Sequence, residues 1–353
     1  MNIRVIRENK NKEINQREKN NGPQINAEKM CRIKRSATSS GDKFMCTFVK
    51  SVRERKNNHN IIKINLKTTI MTQELSKEPV FDGIGYEPSP FSRSQFVAAK
   101  TDYDFSKYDN PNTDKHKKIM VVCTEERYMT MKNGKKFSTG NHPVETLVPM
   151  LHLEAAGFEA AIFTPTGAPV AIEMWAMPSE DEAVKSIFEK YSTQFQQPKN
   201  LSDFVAGNMQ SDTEYVAVFL PGGHGAMLGL PGNDDLKKVI NWSIDTGKFM
   251  LAICHGPAAL LAAAHNETPE NFPYKGYRIK SFPDVIDTQT PGIGYVPGEM
   301  PWFYGEKLEA LGVEILNNDI SGACFTDRKL ITGDSPLAAN NFGKMSAEAL
   351  LNG

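Results

Sequence analysis

The sequence has no apolar run near the roughly 20 residues that a membrane-spanning helix requires, so no membrane partner is expected. It is also poor in cysteine. The five cysteines, at positions 31, 46, 123, 254 and 324, are odd in number and have no CxxC spacing. That excludes a disulfide framework as the organising device and favours a reducing, cytoplasmic setting. No apolar stretch of signal-peptide type stands near the start, and no nucleic-acid-binding motif is recognisable. What is present is ordinary for a globular protein: 353 residues, 40% hydrophobic and 24% charged.

The formal net charge of −1 conceals an asymmetry. Residues 1–70 hold 17 Lys/Arg against 6 Asp/Glu, which makes +11 and leaves −12 for residues 71–353. The basic segment is rich in Asn, Lys, Arg and Glu with little apolar periodicity, so residues 1–70 are expected to be a disordered extension. Met71 is then the expected natural start.

Residues 72–115 carry turn-formers and aromatics and read as an irregular arm or small cap. Lys118 to Cys123 is the first buried strand, followed by a helix opened by His142-Pro143-Val144-Glu145 and ended by Gly157. Phe158–Thr164 completes a β-α-β unit. Residues near 165–210 break this rhythm and read as an insertion forming part of a lid or small second domain. Tyr215–Leu220 resumes it as a strand running into Pro221-Gly222-Gly223-His224-Gly225, and a helix spans 234–245. Short strands are expected near 277–279 and 329–331, and a closing helix over 336–351. Strands alternating with helices predict an α/β fold: a doubly wound, mainly parallel sheet covered on both faces, with a small cap domain.

The stretch Phe249–Ala264 joins an apolar strand to an alanine- and leucine-rich helix through Cys254-His255-Gly256-Pro257. So short a link demands a sharp turn that lifts the Cys254 side chain out of the sheet beside the next helix N-terminus. A thiol there, next to an imidazole, is expected to have a lowered pKa. The same pattern also fits a buried cysteine packing as a small hydrophobe. Gly222-Gly223 and Glu145 fall at the same carboxyl edge of the sheet, where doubly wound folds bind ligands. Glycines in such a turn can present N–H groups to an oxyanion, and Glu145 can serve the site or simply complement the helix dipole. A carboxylate orienting His255 is sought in Ser281–Asp287, and spacing leaves Asp284 and Asp287 both open.

The segments FSTGNHPVETLVPM, EMWAMP, PGGHG, AICHGPAALL, SFPDVID and DRKLITGDSPLAAN, in this order, resemble the ThiJ/PfpI superfamily. The closest likeness is to its branch of HchA-type heat-shock chaperones and glutathione-independent glyoxalases III. The resemblance covers residues 71–353 and implies a flavodoxin-like fold, a homodimer and a cofactor-free cysteine enzyme. It implies Cys254 as nucleophile, His255 as its histidine, Asp287 as the triad acid and Glu145 as the glutamate beside the thiol, with Gly222 and Gly223 facing the oxyanion. The implied reaction is methylglyoxal to lactate without glutathione, with deglycase chemistry on glyoxal-modified proteins or nucleotides. A holdase binding unfolded or glycated proteins is the alternative, and a cysteine peptidase a more distant one. Bacterial members of the branch hold a metal with two histidines and a carboxylate. The matching positions here are Glu154, Glu159 and Tyr191, so no metal is expected. His152 nearby reads as a helix-surface or core residue.

Overall fold

The computed structural model describes residues 74–353 apart from 208, 210 and 211. The basic segment 1–70 and the expected start at Met71 lie outside the described residues.

Two short strands, β1 (Val80–Phe81) and β2 (Tyr86–Glu87), precede helix α1 (Pro90–Phe96), which Ser89 caps through the Ser92 N–H. β3 (Lys118–Val122) is buried along its length except at Lys118, as a run of Ile, Met and Val would be at the centre of a sheet. β4 (Tyr128–Thr130) and β5 (Lys136–Ser138) turn back and pair with each other. β2 then joins β5, so a separate four-stranded sheet of order β1-β2-β5-β4 forms from the arm and this hairpin. Helix α2 (Pro143–Ala155) follows, with proline in its first turn and Gly157, at φ +88°, just past its end.

β6 (Glu159–Thr164) lies parallel to β3. The segment near 165–210 does not stand apart as an inserted lid. Helix α3 (Glu182–Gln196), capped by Asp181, buries Val184, Ile187, Tyr191 and Phe195 along one stripe, and α3 packs on α2 and β6. It leads to β7 (Lys199–Asn200), an edge strand on β6, and to the short helix α4 (Leu201–Ala206). An amphipathic helix returning to a sheet edge is an ordinary crossover, and its apolar stripe ties it to the sheet. The small second sheet comes instead from residues 80–87 and 128–138.

β8 (Tyr215–Leu220), helix α5 (Asp234–Asp245) and β9 (Phe249–Ile253) continue the parallel sheet. Residues 256–264 wind into a tight 3-10 helix, not the α-helix that their propensity suggests. Its residues through Ala263 are all buried, and the small alanines let sheet, α5 and neighbouring turns approach from every side. β10 (Arg278–Ile279) pairs not with the main sheet but with β11 (Glu314–Ile315). Between these lie the short helices α6 (Asp284–Asp287) and α7 (Gly305–Ala310). The hairpin β12 (Cys324–Asp327) and β13 (Leu330–Gly333) closes the sheet beside β9, and α8 (Ala339–Asn352) ends the chain after a tight turn at 336–338.

The main sheet thus runs β12-β13-β9-β8-β3-β6-β7, parallel throughout except for the β12–β13 hairpin. Without β12 and the two-residue β7, its parallel strands have the flavodoxin-like order 2-1-3-4-5. Two separate apolar cores cover its faces, one including α5 and the 256–264 helix, the other α2, α3 and α8. His152 is a core residue: its Nδ1 meets the Tyr108 hydroxyl at 3.2 Å and its Nε2 the Asn340 amide oxygen at 2.8 Å, joining α2 to α8. Among the described residues no helix is long and apolar enough to cross a membrane.

Candidate active site

The strand order reverses between β3 and β8, and their carboxyl ends frame the place where such sheets bind ligands. The chain after β8 and the chain before α2 are stitched together there. His142 N–H donates to the Gly222 carbonyl at 2.9 Å, and Gly225 N–H donates to the Gly140 carbonyl at 3.1 Å. The Asn141 side chain in turn holds the Thr124 and Ala171 carbonyls. This brings Glu145, in the first turn of α2, against Gly222. A Cβ at position 222 would lie 2.1 Å from Glu145 Oε2 and 2.7 Å from Cys254 Cβ. Glycine is therefore required for the carboxyl and the thiol to share one space. Gly222→Ala should displace one of them or the Ile253 carbonyl, 2.5 Å from the same Cβ, and cut turnover at least about tenfold, measured as kcat/KM beside thermal unfolding.

β9 delivers Cys254 at the next strand end. Its φ of +58° is the left-handed conformation that a non-glycine residue adopts at a cost of about 1–3 kcal/mol. The surroundings hold it there. Cys254 N–H donates to the Gly333 carbonyl, while the Cys254 carbonyl accepts from Phe282 N–H and from the Tyr304 hydroxyl, each at 3.0 Å. The Tyr304 hydroxyl also reaches the Phe282 carbonyl. One buried tyrosine thus ties the turn bearing the thiol to the loop bearing Asp287.

The side chains converge. His255 Nδ1 lies 3.3 Å from Cys254 Sγ, and His255 Nε2 lies 2.9 Å from Asp287 Oδ2. Asp284, which spacing could not separate from Asp287, is elsewhere: its carboxylate accepts from the Gly305 and Glu306 amides and caps α7. The structure also brings in side chains to which the sequence reading gave no role. His224 Nε2 meets Asp287 Oδ1 at 2.9 Å. Glu173, buried, accepts from the Thr139 hydroxyl at 2.7 Å. Both sit in segments that stood out, PGGHG and EMWAMP, and a buried histidine after two glycines was the available signal. Phe282 stacks on His255, and Phe137, Trp175 and Tyr295 pack together beside His224.

Electrostatics divide the site. Burial opposes ionisation of Asp287, but the two facing imidazoles outweigh it and hold this carboxyl well below the usual range. Burial together with His224 pushes His255 down, although Asp287 opposes this. Burial would push His224 down too, but Asp287 and Glu173 lift it above the ordinary value. Burial raises Glu173 to about 7 and lowers His142 to about 3. The expected lowering of the Cys254 pKa is not what the structure gives. Burial and then Glu145 push this thiol up, outweighing the Gly223 N–H. Burial likewise raises Glu145, whose carboxyl is fully buried, and outweighs the opposing effects of the Cys254 thiol and the Gly223 N–H. Both shifts favour the protonated forms, so the thiol needs a base rather than a preformed thiolate.

Among the described residues, His224, His255 and Asp287 are the group whose ligand atoms, within 4.8 Å of one another, have metal-like spacing. Those atoms are joined by the two 2.9 Å hydrogen bonds, which is the bonding of a triad. At the positions that the resemblance relates to a metal, the Tyr191 hydroxyl donates to Glu154, which also pairs with Lys190, and binds α3 to α2.

Residues 136–269 match the DJ-1/PfpI family profile. The chain is 51% identical over 265 residues to the protein/nucleic acid deglycase HchA of Pseudomonas aeruginosa, covering 75% of this chain and 91% of that one. It is 47% identical over 284 residues to the protein of that name in Escherichia coli, covering 80% and 98%. The crystal structure of glyoxalase III from Candida albicans matches with a TM-score of 0.54 at 23% identity, over 67% of this chain and 98% of that one, a likeness of fold.

Proposed function

This chain belongs to the DJ-1/PfpI family, and on that premise we propose that it is a glutathione-independent glyoxalase with deglycase activity. One observation carries the reading: a thiol only 4% exposed lies between a histidine base and a glutamate whose complete burial favours its protonated form. So enclosed a nucleophile suits a small dicarbonyl better than a polypeptide, and weighs against a peptidase.

In the proposed reaction, His255 Nδ1 takes the thiol proton as Cys254 sulfur bonds to the aldehyde carbon of methylglyoxal. The carbonyl electrons move to oxygen, which faces the Gly223 N–H and receives the Glu145 proton. The Glu145 carboxylate then removes the hydrogen from that carbon, and His255 protonates the neighbouring oxygen, giving an enediol. Glu145 then delivers its proton to the second carbon and takes back the hydroxyl proton of the first, whose oxygen becomes the carbonyl of a lactoyl thioester: the first carbon is oxidised and the second reduced, with no outside electron acceptor. Water, with its proton taken by His255, cleaves the C–S bond to give lactate and the free thiol. The same addition to an early glyoxal adduct of an amine or thiol would give the deglycase reaction.

The test is lactate production from methylglyoxal without glutathione; a rate no higher than that of buffer would sink the proposal. A holdase role is also compatible. Phe81 on the small sheet and Ile84 in the turn that follows it, 59% and 61% exposed, offer apolar surface that does not involve Cys254.

A further inference from the structure

We infer that His224 is a positioning residue for this reaction: it takes Asp287 Oδ1, lies against the His255 ring, and so fixes the orientation and proton of the base that serves Cys254. The inference rests on the thiol chemistry proposed above and adds a member that the Cys-His-Asp triad lacks.

The geometry is specific. One buried carboxylate is shared by two imidazoles, Oδ1 with His224 Nε2 and Oδ2 with His255 Nε2, each at 2.9 Å. The ring centres are 4.0 Å apart and the planes are tilted by 36°. An ionised carboxylate only accepts, so both Nε2 atoms carry hydrogen. That leaves His255 Nδ1 as the bare nitrogen facing sulfur. With Oδ1 occupied by His224, the carboxylate cannot rotate away from His255.

One anion balances one cation, and the neighbours decide which ring is charged. Asp287, His255, Glu173 and His142 act on His224, with the Tyr295 and Phe137 rings beside it. Asp287, His224 and the Cys254 thiol face His255, which the Phe282 and Tyr304 rings flank. His224 alone has a second carboxyl beside it, Glu173, coupled to it so that ionisation of the one favours charge on the other, while Asp287 lifts it throughout. The positive charge therefore rests on His224 and disfavours a second one on His255, which stays neutral and ready to accept the thiol proton.

His224→Gln keeps an N–H for Asp287 but removes the charge. The readouts are the pH profile of kcat/KM and that of Cys254 alkylation by iodoacetamide. The second needs no assumption about substrate: a wild type that makes no lactate defeats the proposed function while this profile still tests His224. In wild type the acid limb should fall below the ordinary histidine value. In the variant it should move up by about one pH unit, so that the loss at pH 6 is about threefold greater than at pH 8 and approaches about tenfold only well below both limbs. A limb that superimposes on the wild-type one, with a loss uniform in pH, overturns the inference. Should the variant fail to fold, histidine-ring NMR of the wild-type protein decides the matter. His224 must titrate above His255, and the reverse order overturns the inference.

Discussion

Cys254→Ser is expected to lower glutathione-independent lactate formation at least about 1,000-fold with little effect on stability. The sulfur sits 3.3 Å from His255 Nδ1 in a pocket that already accommodates its proton, so a hydroxyl fits without rearrangement. What changes is the chemistry. A serine hydroxyl is far less acidic than a thiol, and a neutral imidazole in a buried site cannot easily take its proton. Circular dichroism and thermal unfolding should match wild type, so the loss would belong to the reacting atom. Near-normal lactate production would remove the covalent mechanism. Protection of an unfolding client protein should persist in the same variant if the exposed apolar surface acts as a holdase.

Asp287→Asn is expected to cost about 100- to 10,000-fold in kcat for a different reason. The carboxylate accepts from both histidines at 2.9 Å, which an amide cannot do. Asparagine offers one oxygen and one NH2, so one imidazole must accept instead of donate. If that ring is His255, its proton moves to Nδ1, facing the thiol, and the base is lost. The substitution is nearly isosteric, so the site should keep its shape. Asp287→Asn and Cys254→Ser combined should be no worse than Cys254→Ser alone, because both act on one step. Losses that multiply would show that Asp287 has a separate role.

Much of this was readable in the chain. The apolar run before Cys254 and the Gly256-Pro257 pair dictated a strand reversing sharply, and a φ of +58° at Cys254 is the local form of that reversal. Gly222 was legible because it closely follows a strand, and Glu145 because it opens the helix that returns from the first buried strand, so their place at the carboxyl edge is a matter of order. Spacing alone could not separate Asp284 from Asp287, which only the resemblance singled out, since the amides of Gly305 and Glu306, some 20 residues away, decide which carboxylate turns outward. His224 meets Asp287 across 63 residues and Tyr304 meets Cys254 across 50, distances at which local pattern says nothing. The direction of the Cys254 pKa failed for a related reason. A neighbouring histidine and a helix start are visible in sequence, whereas burial beside Glu145 is not, and burial is the larger effect.

The two groups that burial moves furthest toward each other's range, His142 and Glu173, have a consequence for the molecule's response to acid. Folded Glu173 keeps its proton up to about pH 7, while an unfolded glutamate loses it near 4.3, so the folded state binds more protons and stability falls as pH rises through that interval. His142 behaves in the opposite way. Its folded value is about 3 against about 6.5 unfolded, so the unfolded state binds more protons and stability rises with pH. Each slope is about 1.4 kcal/mol per pH unit, and between about pH 4.3 and 6.5 the two cancel. Below that interval His142 acts unopposed and takes about 2 kcal/mol by pH 3. Two buried ionisable groups, each costly by itself, thus offset each other's response to mild acidification.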